Sequence, residues 1–158
     1  MKTSAIISDC GQYRYELRRI WNSSKPLALF ICHNPSTADH ATDDRTSKRC
    51  INYAKDWGYG GLLMGNLFAF RSTDRTALRH TPDPVGPEND YHLRRMINEA
   101  SITICAWSCY NVPLKRDLEV IKFIPSPMCL KINPKGRPYH PLMQKKTLTP
   151  IPYVVSSC

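Results

Sequence analysis

Four short apolar runs punctuate the chain, at residues 27–32, 61–64, 102–107 and 128–132. Runs of this length suit strands covered on both faces, as in a parallel sheet. Helical periodicity fills the intervals. Cys50, Ile51, Ala54 and Trp57 recur at i, i+1, i+4 and i+7, on a segment that opens with Thr42-Asp43-Asp44 and closes at Gly58. The opening offers side-chain acceptors to the free N–H groups of a first turn, and the glycine permits a left-handed residue at the end. Leu93, Met96, Ile97 and Ala100 make a second apolar stripe. Leu114, Leu118 and Ile121 make a third, with Asn111 as a cap and Pro113 near its first turn. Strand and helix alternate. The pattern predicts an α/β fold with three layers, αβα, around a central, mainly parallel, four-stranded sheet.

The ends read differently. Tyr13, Tyr15 and Leu17 alternate with Arg14, Glu16 and Arg18 after the turn signal Asp9-Cys10-Gly11, predicting an N-terminal antiparallel β-hairpin over one sheet edge. Residues 80–89 hold three prolines and a glycine and read as a loop. Residues 1–150 are expected to form one domain, with 151–158 a loose tail.

At 158 residues the chain is about one domain long, enough to fold without disulfides or metal. No stretch reaches the roughly 18 apolar residues needed to cross a membrane. Residues 1–7 are interrupted by Ser8-Asp9 too soon for a signal peptide, so a cytoplasmic monomer without membrane association is expected. The seven cysteines include no C-x-x-C pair and several fall in apolar runs, which reads as buried thiols rather than a zinc or iron–sulfur site. No metal and no cofactor is expected. Charge changes the picture: 22 Lys+Arg against 13 Asp+Glu give +9, and nucleic acid is the commonest polyanion partner of such a domain.

In an open parallel sheet, ligands bind beyond the C-terminal ends of the strands. The first apolar run ends in His33-Asn34-Pro35-Ser36-Thr37-Ala38-Asp39, and the second in Asn66-Leu67-Phe68-Ala69-Phe70-Arg71. The third ends in Trp107-Ser108, and the fourth leads into Gly136-Arg137-Pro138-Tyr139-His140-Pro141-Leu142. Four strand ends on one rim would bring Asn34, Asn66, Arg71 and His140 together.

These motifs, with Val85-Gly86-Pro87-Glu88-Asn89-Asp90, resemble domain-of-unknown-function family 1643, found in bacteria and phages, over nearly the whole chain. More remotely, their order is similar to the uracil-DNA glycosylase superfamily. There, one strand ends in a Gly-x-Asn-Pro-Gly-like loop, a middle strand in a base-reading asparagine, and a His-Pro-Ser loop follows the last strand. Asn34-Pro35, Asn66 and His140-Pro141 stand in those places, with Ser36 where glycine is usual and Leu142 where serine is usual. The resemblance implies a uracil-DNA-glycosylase-like domain and a monofunctional DNA glycosylase. It would hydrolyse the N-glycosidic bond of a flipped, damaged or modified base and leave an abasic site. The altered loops extend the expectation to a hypermodified phage base, and so to antiviral defence.

The chemistry can be stated independently. Base removal passes through an oxocarbenium-like sugar with negative charge on the departing base, and needs a positioned water, a donor for that base and a pocket to hold it. The resemblance implies that Asn34 orients the water; Asp39, Asp43 or Asp44 could supply a carboxylate, although Asp43 and Asp44 read more readily as caps of the following helix. His140 could donate to the base oxygen as charge develops. Asn66 carries both donor and acceptor for a base edge, and Ser36, in the loop after the first run, is a further candidate for base binding. Phe68 or Phe70 could stack on the base, one of them being core, and Leu142 with Met143 could wedge into the vacated stack or simply pack. For phosphates the candidates are Arg71, Arg137, Lys145 and Lys146, with Arg45, Lys48 and Arg49. Two other classes stand beside this reading: a non-catalytic nucleic-acid-binding module of the same fold, and a hydrolase or transferase of a free nucleotide. Neither a G-x-x-x-x-G-K-[S/T] nor a G-x-G-x-x-G motif is present to support the last.

Overall fold

The computed structural model describes residues 1–108 and 111–155. The order of strands and α-helices is β1 (Lys2–Ile7), β2 (Arg14–Ile20), β3 (Leu27–Cys32), α1 (Arg45–Asp56), β4 (Gly61–Asn66), α2 (Asn89–Glu99), β5 (Ile102–Cys105), α3 (Arg116–Ile121), β6 (Pro127–Cys129) and β7 (Ile151–Pro152). Two 3₁₀ turns, Arg75–Arg79 and Pro113–Lys115, complete it. The fold is α/β with one mixed seven-stranded sheet, ordered β1-β2-β4-β3-β5-β6-β7. Strand β3 pairs parallel with β4 and β5, and β5 with β6; β1, β2 and β7 run antiparallel to their neighbours.

The apolar runs become strands because each fills two cores at once. In β3, Leu29 and Ile31 face one core while Phe30 and Cys32 face the other; in β4, Leu63 opposes Leu62 and Met64. Helix α1 covers one face through Cys50, Ile51 and Tyr53. On the other face lie α2, through Leu93 and Met96, and α3, through Val120. A fully buried leucine such as Leu62 or Leu63 contributes about 1.5–3 kcal/mol. Gly65 is small because a Cβ there would lie 2.8 Å from Leu93 Cδ2 and from Met96 Cε.

The structure corrects four expectations. The sheet has seven strands rather than four, because the N-terminal hairpin joins it through β2 and β4 and β7 adds to the opposite edge against β6. Residues after Pro150 are not loose as far as the described residues run. Strand β7 pairs with β6, Tyr153 is buried, and its hydroxyl donates to the Gly136 carbonyl at 3.2 Å. The third helix is shorter than its stripe predicted: Leu114 and Leu118 are exposed, Leu114 sits at φ 60°, and Arg116, Asp117 and Val120 face inward. Arg116 binds the Leu67 carbonyl and pairs with Asp90 and Glu119, so a polar network outcompetes the leucines for the interior.

Strand β2 is the fourth case. Its polar residues Arg14, Glu16 and Arg19 are all buried. Glu16 accepts from His92, Arg95 and Arg18; burial alone would raise its carboxyl, and these three donors hold it below the ordinary value. Arg19 pairs with Asp43 at 2.8 Å. The alternation also breaks: Ile6 pairs with Glu16 but Ile7 with Arg14, leaving Tyr15 as a one-residue bulge. Tyr15 therefore stacks on His92 of α2, while Arg14 reaches the Ala38 carbonyl among the residues that pack with α1. Cys32, Cys50, Cys105 and Cys129 are buried free thiols and Cys10 is exposed; Cys109 and Cys158 lie outside the described residues.

Candidate functional site

Parallel pairing of β3 and β4 puts Cys32 opposite Asn66 at one rim of the sheet. The ladder continues past both strands: Leu67 N–H donates to Cys32 O at 2.9 Å and Phe68 N–H to His33 O at 3.0 Å. Asn89, at the start of α2, donates through Nδ2 to the carbonyls of Asn66 and Leu67, which holds this strand end from behind. Loop 33–36 is fixed in turn, since Ser72 N–H donates to Pro35 O at 3.0 Å and Asn34 Nδ2 to Ser72 O at 2.9 Å. The segment carrying His140 is tied to the end of β5 by Ser108 N–H to Pro138 O at 2.8 Å. It is tied to α1 by Arg49 and Tyr53, which donate to the Gln144 and Lys145 carbonyls.

These constraints enclose a pocket of about 160 Å³. His33, Asn34, Pro35 and Ser36 line it from β3, Met64 and Asn66 from β4, and Asp44 and Thr46 from the N-terminus of α1. Ser72, Thr73 and Arg75 close another side, and Arg14 and His140 complete the wall.

Hydrogen bonding fixes what each group presents. Asn34 Nδ2 donates to Ser72 O, so its Oδ1 faces His33 Nδ1 at 3.0 Å. An amide oxygen only accepts, so the His33 proton sits on Nδ1 and Nε2 is left as an acceptor. That Nε2 is buried without a partner. His140 is the converse: Leu142 N–H donates to its Nδ1 at 3.2 Å, which leaves the proton of the neutral ring on Nε2. Both rings stay neutral at physiological pH. Burial first, with the charge of Arg75 adding to it, pushes each imidazole down to about 4. Asn66 is buried and its Nδ2 has no partner; Arg14 is buried, and its Nε has none. Unpaired buried polar atoms are costly, so three of them on one small pocket mark a place built for a ligand.

The family comparison decides the identity of the domain. The family described as a protein of unknown function, DUF1643, matches residues 14–142. The chain belongs to that family. Every pocket residue from Arg14 to His140 lies within the matched span. No curated protein and no solved structure matches the chain. Among the described residues no helix is long and apolar enough to cross a membrane, and no group of three His, Cys, Asp or Glu could hold a metal ion.

Of the residues singled out from sequence, Asn34, Ser36, Asn66 and His140 meet at the pocket. Asp39 does not line it. Its Oδ1 accepts the N–H groups of Ala41 and Thr42, which turn the chain toward α1 and hold its carboxyl below the ordinary range. Asp44 lines the pocket instead, while also capping α1 through Ser47 N–H at 2.8 Å. Phe68 is buried against His33 in the core, and Phe70 packs edge-on against Tyr13, so neither forms a wall of the pocket. Arg71 donates to the Gly11 carbonyl, and Arg137 lies 3.7 Å from Asp117. Both are partly engaged rather than free for phosphate. Leu142 is half-buried, Met143 is 89% exposed at φ 68°, and Lys145 and Lys146 are exposed. Sequence reading missed Arg14, Arg75 and His33 as wall residues. The Arg14 signal was hidden because regular alternation assigns it to the opposite face of β2.

Proposed function

We propose that the pocket receives a single base extruded from DNA and that the protein hydrolyses its N-glycosidic bond. What carries the reading is the meeting of Asn34 and Asn66, from the ends of β3 and β4, with His140 from the loop after β6 around one small, polar, donor-rich pocket. Its 160 Å³ is well below the roughly 300–1,000 Å³ that encloses a drug-sized ligand, which suits one ring better than a whole free nucleotide. The remote likeness in motif order to the uracil-DNA glycosylase superfamily, and the kindred fold it implies, point the same way.

In this mechanism Asn66 Nδ2 and His140 Nε2–H donate to oxygens of the flipped ring, where negative charge gathers as the bond to C1′ breaks. The neutral imidazole donates without carrying a charge that would have to be desolvated. His33 Nε2 accepts from a ring N–H. Asp44 takes the place first assigned to Asp39: it orients the attacking water on the sugar and accepts its proton. Asn34, held between His33 and Ser72, keeps one carbonyl lone pair for that water. Lys145 and Lys146, exposed just after the His140 loop, would hold the phosphates.

The test is incubation with duplexes and single strands carrying damaged and phage-type modified bases, followed by alkaline cleavage of abasic sites. Strand scission that disappears in His140→Asn and Asp44→Asn supports the proposal. Absence of scission with every substrate at high enzyme refutes it. If binding to DNA persists with no scission, and survives Asn34→Ala and His140→Ala, the chain is a binding module of the same shape.

A further inference from the structure

Arg14 is the most unusual group in the pocket wall. It is 3% exposed, and among the described residues no carboxylate lies within ion-pair distance of it. Its Nη1 donates to the Ala38 carbonyl at 3.0 Å, and its Nε is unpaired. Burial pushes its guanidinium down to about 10, with Asp44 opposing that shift; it remains a cation at neutral pH. A buried charge without a partner is expensive, and the chain reaches this arrangement through the Tyr15 bulge, which turns Arg14 from the α2 face to the pocket. Thr46, Ser36 and the neutral imidazoles of His33 and His140 cannot balance it. Asp44 is the sole carboxylate on the wall, against Arg14 and the exposed Arg75.

We propose that Arg14 is an anion-recognition group, so that the pocket binds a nucleobase ring preferentially in its deprotonated, negatively charged form. The choice of a nucleobase rests on the base-excision reading; the charge preference rests on Arg14 itself. In that reaction the C1′–N bond breaks, its electron pair stays on the ring nitrogen and spreads to the ring oxygens, and water adds to C1′ while its proton passes to Asp44. Arg14 then meets charge that is complete only on the departing ring, a difference that speeds the chemical step.

The experiment uses two free bases as probes: 5-nitrouracil, which ionises near neutrality, and uracil, which stays neutral there. Affinities of the full chain are measured from pH 5 to pH 8. His33 and His140 hold no proton to lose in that window, and the other ionisable groups around Arg14 are Asp44, Arg19, Arg71, the Cys32 thiol and, on the same pocket wall, Arg75. The expected result is 5-nitrouracil binding that tightens about tenfold or more as the probe ionises, the gain typical of a hydrogen bond to a charged group. Uracil should show no such rise. Arg14→Gln should abolish the rise and Arg14→Lys restore part of it. Equal affinity for both forms in the wild-type protein overturns the proposal, whether or not the variants fold. Anion-selective binding with no base excision from any duplex would leave Arg14 as proposed and remove the glycosylase. Excision that Arg14→Gln performs at the wild-type rate on bases of high and low acidity would do the reverse.

Discussion

Lowering the pH from 7 to 5 should weaken the fold through two histidines. His33 and His140 are pushed down to about 4, while an unfolded chain holds histidine near 6.5. A folded value below the unfolded one means the native state binds fewer protons between the two. The contribution is therefore complete above about pH 6.5 and is lost as pH falls toward 4. Between pH 7 and pH 5 each unfolded imidazole takes up most of a proton that the folded one refuses, which integrates to about 2 kcal/mol per group. His33 is nearly inaccessible and should supply its full share, whereas half-buried His140 supplies somewhat less. Together they amount to about 3 kcal/mol, a large part of a typical domain's stability. Urea unfolding at the two pH values measures it directly, with ring NMR signals reporting the protonation state. His140→Asn should remove its part of the slope and keep that of His33. A wild-type stability constant within about 0.5 kcal/mol across this range, or ring signals of His33 or His140 that shift near pH 6.5 in the folded protein, would refute the account of neutral rings in a dry pocket.

Three further outcomes follow from individual contacts. Glu16→Gln removes the charge that His92, Arg95 and Arg18 share and should cost about 3 kcal/mol in chemical denaturation, with a variant less acid-sensitive below the ordinary carboxylate range than the parent. Asn66→Ala should lower single-turnover excision by about 10²–10³ while leaving the melting temperature close to wild type, because its Nδ2 bonds nothing in the folded protein. Lys145→Ala with Lys146→Ala should reduce the slope of log affinity for DNA against log salt by about 2 without altering 5-nitrouracil binding; an unchanged slope would place the phosphates elsewhere.

The first two apolar runs specified strands by themselves, because a segment apolar at every position has no solvent face and must be covered twice; the fourth, interrupted by exposed Lys131, yields a strand only at Pro127–Cys129. The capped, periodic segment beginning at Asp44 likewise announced α1, since its cap, stripe and terminal glycine are all local features. Convergence of Asn34, Asn66 and His140 was readable for a related reason: parallel strands deliver their C-terminal ends to one rim. Other features were decided only by packing. Leu114 and Leu118 are apolar yet exposed, because Arg116 is committed to the Leu67 carbonyl and that contact sets which face of α3 turns inward. Arg14 reaches the pocket through a single extra residue in a strand register, and register belongs to a pair of strands rather than to either sequence. The loss of Asp39 from the site was local, its Oδ1 being claimed by the N–H groups of Ala41 and Thr42 two and three residues on, whereas the placing of Asp44 on the pocket needed the tertiary fold. Local patterns chose the elements, and long-range pairing chose which side chains those elements point at one another.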